Sequence, residues 1–123
     1  DVYKRQNLTL AELFDIAKDG DPIEISAMCT VFAESEVINY IGEGRKKEDI
    51  AAGVIDSVAK KVSQLAGRAK IKDEVILTGG LSNVPYFAKV LSDKLNTPVH
   101  TTENGKFAGS YGAALLAKEK KKR

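Results

Sequence analysis

The stretch from Asp73 to Asn96, "DEVILTGGLSNVPYFAKVLSDKLN", constrains the fold more than any other part of the chain. Val75 to Leu77 read as a short buried strand, Gly79 and Gly80 as a tight turn, and Pro85 to Leu95 as a helix. "TPVHTT" then supplies another short strand. "AGSYGAALLAKEK" supplies a closing helix whose small residues Ala108, Gly109, Gly112, Ala113 and Ala114 permit close backbone approach. Strands alternating with helices place the chain in the α/β class with a partly parallel sheet.

The first half is more helical. In "NLTLAELFDIAKDG" Thr9 and Glu12 stand at capping-box spacing, Leu10, Leu13, Phe14 and Ala17 form an apolar stripe, and Gly20 suits the exit. "DPIEIS" alternates, with Ile23 and Ile25 on one face, and reads as a short strand or an extended entry. "FAESEVINYIGEG" carries Val37, Ile38 and Ile41 at helical spacing and ends at Gly42 or Gly44, so Cys29 falls at or just before a helix start. The longest periodic segment, "KKEDIAAGVIDSVAKKVSQLAGRA", predicts an amphipathic helix with Ile50, Val54, Val58, Val62 and Leu65 on its apolar side. Lys60, Lys61 and Gln64 stand opposite.

A chain of 123 residues buries one core, or forms one lobe of something larger. Its single cysteine cannot close an intrachain disulfide, and 29% charged with 43% apolar residues is ordinary for a reduced, cytoplasmic, globular protein. No apolar run approaches the roughly 18 to 20 residues of a membrane span, and there is no secretory layout at the N-terminus. The net charge of +2 comes from "KEKKKR" at the end, a solvated basic tail; without it, 14 basic residues face 16 acidic ones. With no tryptophan and no aromatics among the basic residues, the chain offers no base-stacking platform for nucleic acid.

Candidate chemistry is sparse. The double glycine lets backbone and ligand approach a strand end, and the carboxyl ends of strands are where open α/β sheets bind ligands. A plain strand-to-helix turn would look the same. Neither GxGxxG nor GxxxxGK[ST] occurs, nor GxSxG or HExxH. The lone histidine, His100, lies in a strand far in sequence from Cys29 and reads as structural. Glu34 and Glu36, two apart, point to different faces of a helix and make a poor acid/base pair; they read as solvated, helix-start or partner-facing charges. Cys29 by composition is a small buried hydrophobe, and one cysteine per chain cannot complete a tetrahedral sulfur site without other cysteines or a symmetric partner.

Three stretches, "ISAMCTVFAESEVINYIGEGRKKEDIAAGVIDSVAKKV", "ILTGGLSNVPYF" and "GSYGAALLAKEK", together resemble the C-terminal half of the activator ATPases of 2-hydroxyacyl-CoA dehydratases and benzoyl-CoA reductases. The resemblance runs from about Asn7 to Lys120, with "MCTVFAESEV" its most specific part. It implies the C-terminal lobe of an actin/hexokinase/Hsp70-like (ribonuclease H-like) fold over residues 7–117, with 118–123 a basic tail. Asp1 to Gln6 match nothing in the family and read as a non-native leader or junction.

The family's members are homodimers that bind ATP or ADP with magnesium and share one [4Fe-4S] cluster between subunits. Reduced by ferredoxin or flavodoxin, they pass a low-potential electron to their dehydratase or reductase. By this resemblance Cys29 matches the second cluster cysteine, at a helix start whose dipole favours a thiolate. Gly79 and Gly80 match the adenosine-contacting turn, with Asn83 beside the nucleotide. Lys106 stands where the family commonly has a glutamine near the adenine. Gly109 and Gly112 match packing glycines. The family's first cluster cysteine, phosphate loop and magnesium-handling acids lie upstream of these residues, so the chain is expected to be a lobe that does not hydrolyse ATP alone. Two rival readings stay open: the C-terminal lobe of a sugar or small-molecule kinase with no cluster, and a noncatalytic interaction module.

Overall fold

The computed structural model describes residues 9–26, 30–69, 71 and 74–122. The reading of Asp1 to Gln6 as a leader, and Cys29 itself, lie outside the described residues. The chain divides into two compact units, residues 1–64 and 65–123.

The first unit is helical. Helix α1 (Leu10–Ala17) opens with the expected capping box: the Glu12 N–H donates to Thr9 Oγ1 at 3.2 Å, and the Thr9 N–H donates to Glu12 Oε2 at 2.6 Å. These bonds, with a further one from the Thr9 hydroxyl at 2.7 Å, hold the Glu12 carboxyl below its usual pKa. Leu13, Phe14 and Ala17 are buried, while Leu10 is half exposed. Helix α2 (Thr30–Gly42) ends in a Schellman arrangement: the Arg45 N–H reaches the Tyr40 carbonyl, the Gly44 N–H reaches Ile41, and Gly44 takes φ +72°. Of its apolar residues Val37 is buried, whereas Ile38 and Ile41 are about two-fifths exposed.

Helix α3 (Lys47–Ala66) has the expected period but a rotated face. Its buried residues are Ile50, Ala51, Ala52, Gly53, Ile55 and Ala59; Val58 is 41% exposed and Leu65 63%. The cause is the segment before α2, which crosses this helix at backbone distance. A Cβ on Gly53 would overlap the Ile23 carbonyl, and one on Gly20 would overlap the carbonyl of Glu48. Small residues therefore hold the inner face, and valines are pushed to its edge. "DPIEIS" is the extended entry rather than a strand. It forms no ladder with described residues, and is tied instead by the Asp21 N–H to Asp49 Oδ1 (2.9 Å) and the Ile23 N–H to the Asp49 carbonyl (3.3 Å).

The second unit holds a strand–helix–strand crossover. Strand β1 (Val75–Leu77) pairs in parallel with β2 (Val99–Thr101), Val75 opposite Val99 and Leu77 opposite Thr101. Helix α4 (Pro85–Leu95) connects them, proline filling its first turn where no amide donor is needed. It buries Phe87 and Leu91 and ends at Asn96 in the left-handed region, φ 53° and ψ 30°. The Ser92 hydroxyl donates to the Ala88 carbonyl (2.8 Å) and accepts from the Val99 N–H (2.9 Å), fixing where β2 begins. The expectation of a buried first strand needs correction, since Ile76 at its centre is 55% exposed and only Val75 and Leu77 turn partly inward. Opposite it, His100 is exposed.

Helix α5 (Ala108–Lys121) closes the chain with none of its residues buried. A Cβ on Gly109 or Gly112 would meet nothing within 4 Å, so no described residue uses the room these glycines leave.

Candidate functional site

In a parallel pair both strands deliver their carboxyl ends to the same edge, and the loops that leave it form the natural ligand-binding crest. Here β1 runs into Gly79 and a 3₁₀ turn (Gly80–Asn83), while β2 runs into Thr102 and a second 3₁₀ turn (Gly105–Phe107) that leads into α5. The two loops are joined: the Gly79 N–H donates to the Gly105 carbonyl at 3.0 Å.

The paired glycines, alike in sequence, have different reasons to be glycine. Gly79 adopts φ +90° and ψ −170°, a region that residues with a side chain essentially never enter. Gly80 has no positive φ, and a Cβ there would meet nothing within 4 Å. Gly79 thus shapes the turn, and Gly80 leaves its outer surface bare.

Ser82 closes the turn from inside. Its hydroxyl and its N–H both donate to the Gly79 carbonyl, at 2.8 and 3.1 Å. It is the one buried polar side chain among the described residues, 5% exposed. Gly105 is buried beside it: a Cβ there would lie 3.1 Å from Thr102 Oγ1 and 3.2 Å from Ser82 Oγ.

Next to the turn, a cleft of about 550 Å³ runs between the first turns of α4 and the end of β2, a size within the range of small-molecule sites. Ser82, Asn83, Lys89, Ser92, Thr101, Thr102 and Glu103 supply its polar lining. The sequence-predicted residues divide accordingly. Gly79, Gly80 and Asn83 lie on one turn, with Asn83 in the cleft wall. Lys106 is exposed on the neighbouring loop and does not line the cleft; its ammonium sits 5.5 Å from the centre of the Phe107 ring. Sequence reasoning missed Ser82, Gly105, Lys89 and Glu103. For Ser82 the signal was local, a serine three residues after the turn glycine, the spacing at which a hydroxyl back-bonds to a carbonyl.

In the first unit the expectation for Glu36 is corrected. Its carboxylate accepts from the Ser26 N–H at 2.9 Å and from the Ser26 hydroxyl at 2.6 Å, and the Tyr40 hydroxyl donates to the Glu24 carbonyl at 3.0 Å. One face of α2 therefore clasps the chain just before Cys29. Glu34 is half-buried and also has a partner, so neither glutamate is simply a solvated charge. No group of three or more His, Cys, Asp or Glu that could hold a metal gathers among the described residues. No helix of the described residues is long and apolar enough to cross a membrane.

Residues 3–117 match the profile of the BadF/BadG/BcrA/BcrD ATPase family, a match that takes in Tyr3 to Gln6 of the stretch expected to lie outside it. The chain is 41% identical over 111 residues to the (R)-2-hydroxyglutaryl-CoA dehydratase activating ATPase of Acidaminococcus fermentans, covering 90% of this chain and 42% of that protein. Two solved structures share its fold. The activator of the 2-hydroxyisocaproyl-CoA dehydratase from Clostridium difficile, with bound ADPNP, superposes with a TM-score of 0.84 at 36% identity, covering 98% of this chain and 47% of that one. The A. fermentans (R)-2-hydroxyglutaryl-CoA dehydratase component A gives 0.86 at 33% identity, covering 99% and 48%. The chain spans about half the length of the relatives it matches, and its α/β architecture is that of a partial lobe of an actin-like ATPase.

Proposed function

Starting from a chain that belongs to the BadF/BadG/BcrA/BcrD ATPase family, we propose that it is the nucleotide-contacting C-terminal lobe of an ATP-dependent activator serving a CoA-thioester dehydratase or reductase. The observation that carries this reading is the crest of the parallel pair. There a glycine turn, bare on its outside and fixed on its inside, adjoins a cleft of ligand size, in a fold that binds ADPNP in the similar C. difficile activator.

In this reading Gly79 and Gly80 let the adenosine approach the strand end, and Asn83 flanks it from the cleft wall. Lys106 approaches the adenine only if its side chain leaves the Phe107 ring. Lys89 and Glu103 place one charge of each sign in the cleft wall. The resemblance assigns the phosphates and magnesium to family residues upstream of the stretch matched here.

Cys29 is the chain's ligand to a [4Fe-4S] cluster shared with a second copy. Cys29 immediately precedes α2, and a thiolate there meets the positive end of a helix dipole, the donor chemistry an electron-rich cluster needs. The cluster supplies one-electron transfer at low potential, from ferredoxin or flavodoxin to the dehydratase or reductase. Glu36 clasps Ser26, three residues before Cys29 in sequence. Nucleotide exchange on the lobe couples to partner binding because the ATP and ADP forms differ in affinity for the partner. Cytoplasmic residence, with no nucleic acid or membrane partner, completes the reading.

Iron and sulfide analysis of the full-length protein under anaerobic conditions, beside Cys29→Ser, tests it. The expected result is about four irons per dimer in the wild type and few in the variant. ATP binding without iron in either protein would move the assignment to a cluster-free kinase of the same fold.

A further inference from the structure

Buried hydroxyls are kept where a carbonyl must be held in one direction, and Ser82 has that position. Its Oγ donates to the Gly79 carbonyl at 2.8 Å, although that carbonyl already accepts the Ser82 N–H at 3.1 Å. The fold does not need the second bond to avoid an orphaned carbonyl. What the bond adds is direction: it pins the carbonyl of the one residue whose φ is +90°, and with it the plane of the peptide that leads into Gly80. On its other side the same hydroxyl lies 3.2 Å from where a Cβ on residue 105 would stand, a tight fit that glycine relieves. Gly105 in turn accepts the Gly79 N–H and donates to the Thr102 carbonyl, each at 3.0 Å. One buried side chain therefore touches both loops that leave the sheet.

We propose that Ser82 is a positioning residue for the nucleotide: it sets the Gly79–Asn83 turn against the Thr102–Gly105 loop so that one ligand meets both at once. This rests on the nucleotide reading above, and the experiment separates the two. In the full-length protein, ADP affinity is measured by calorimetry, and KM and kcat by ATP hydrolysis, for wild type, Ser82→Ala and Ser82→Cys. Cysteine keeps the shape of serine but is somewhat larger and a much weaker donor, and serves if the alanine variant melts without cooperativity.

The expected result is an ADP affinity lowered about 3- to 10-fold in both variants. KM for ATP should rise by a similar factor, kcat should stay within about twofold, and the ligand-free melting temperature should move by no more than a few degrees. Gly105→Ala, which crowds the same hydroxyl, should weaken ADP comparably, and combining it with Ser82→Ala should cost less than the two changes added. Wild-type affinity in both Ser82 variants would overturn the positioning role while leaving the nucleotide reading intact. Absence of saturable ADP binding in the wild type would overturn the reading beneath it.

Discussion

Gly79 and Gly80 are adjacent, chemically identical and opposite in what alanine should do to them. At Gly79, φ +90° and ψ −170° lie in a region that costs a residue with a side chain about 1–3 kcal/mol. A Cβ there meets nothing within 4 Å, so the penalty is conformational and no rearrangement of neighbours relieves it. Alanine also narrows the unfolded ensemble, which returns about 0.4–1 kcal/mol. Gly79→Ala should therefore destabilise by roughly 1–2 kcal/mol, lowering a urea midpoint by on the order of 1 M. At Gly80 the same entropy term acts with no conformational penalty and no clash, so Gly80→Ala should be neutral or stabilising by up to about 1 kcal/mol. For ligand binding the reasoning runs the other way at Gly80. If the bare outer surface of the turn is where adenosine lies, a methyl there blocks it, and ADP affinity should fall at least about tenfold in a protein as stable as the wild type. Equilibrium urea unfolding and ADP calorimetry on the same two proteins give the answer. Equal stability losses at 79 and 80 would refute the backbone reasoning; undiminished affinity in Gly80→Ala would refute the placement of the nucleotide.

Other consequences are simpler to check. Gly53→Ala should cost about 3 kcal/mol, because its Cβ meets the backbone of Ile23 and no side-chain rotation can give way; urea unfolding measures it. Phe87→Ala should cost about 3–5 kcal/mol by removing a ring that is 2% exposed, read from the same unfolding curves. Tyr40→Phe should cost about 1 kcal/mol through the lost bond to the Glu24 carbonyl. The Glu12 carboxyl titrates lower in the folded chain than in the unfolded one, since its bonds with Thr9 favour the charged form. Its contribution is thus fully present above about pH 4.5 and lost as pH falls through the lowered native value. Acid titration of stability should show that loss in wild type and not in Glu12→Gln.

The elements were largely legible because each carries a local cause. The capping box at Thr9, the glycines that end α2 and the proline that opens α4 act within a turn of where they stand. What escaped was set by approach between segments distant in sequence. The buried face of α3 follows Gly53, Ala52 and Ala59 because Ile23 crosses it at backbone distance, and no periodicity in α3 reports that crossing. The clasp of Ser26 by Glu36 bridges two segments for the same reason, so Glu36 read as a solvated, helix-start or partner-facing charge. At the candidate site, Gly79, Gly80 and Asn83 were legible as a turn after a strand. Ser82 carried a local signal for its bond to Gly79, but its meeting with Gly105 did not show, because that depends on β2 returning parallel to β1. Lys106 was placed by resemblance alone, and its ammonium lies over Phe107.

The parallel register of β1 and β2 also sets what the chain must close. Because α4 lies between the strands, their pairing is a contact across the whole crossover and carries the entropy of closing that loop. The bond from Gly79 to Gly105 exists only after that closure. A nucleotide held at this crest would bind only chains that have completed the crossover, and so favours the closed state by mass action.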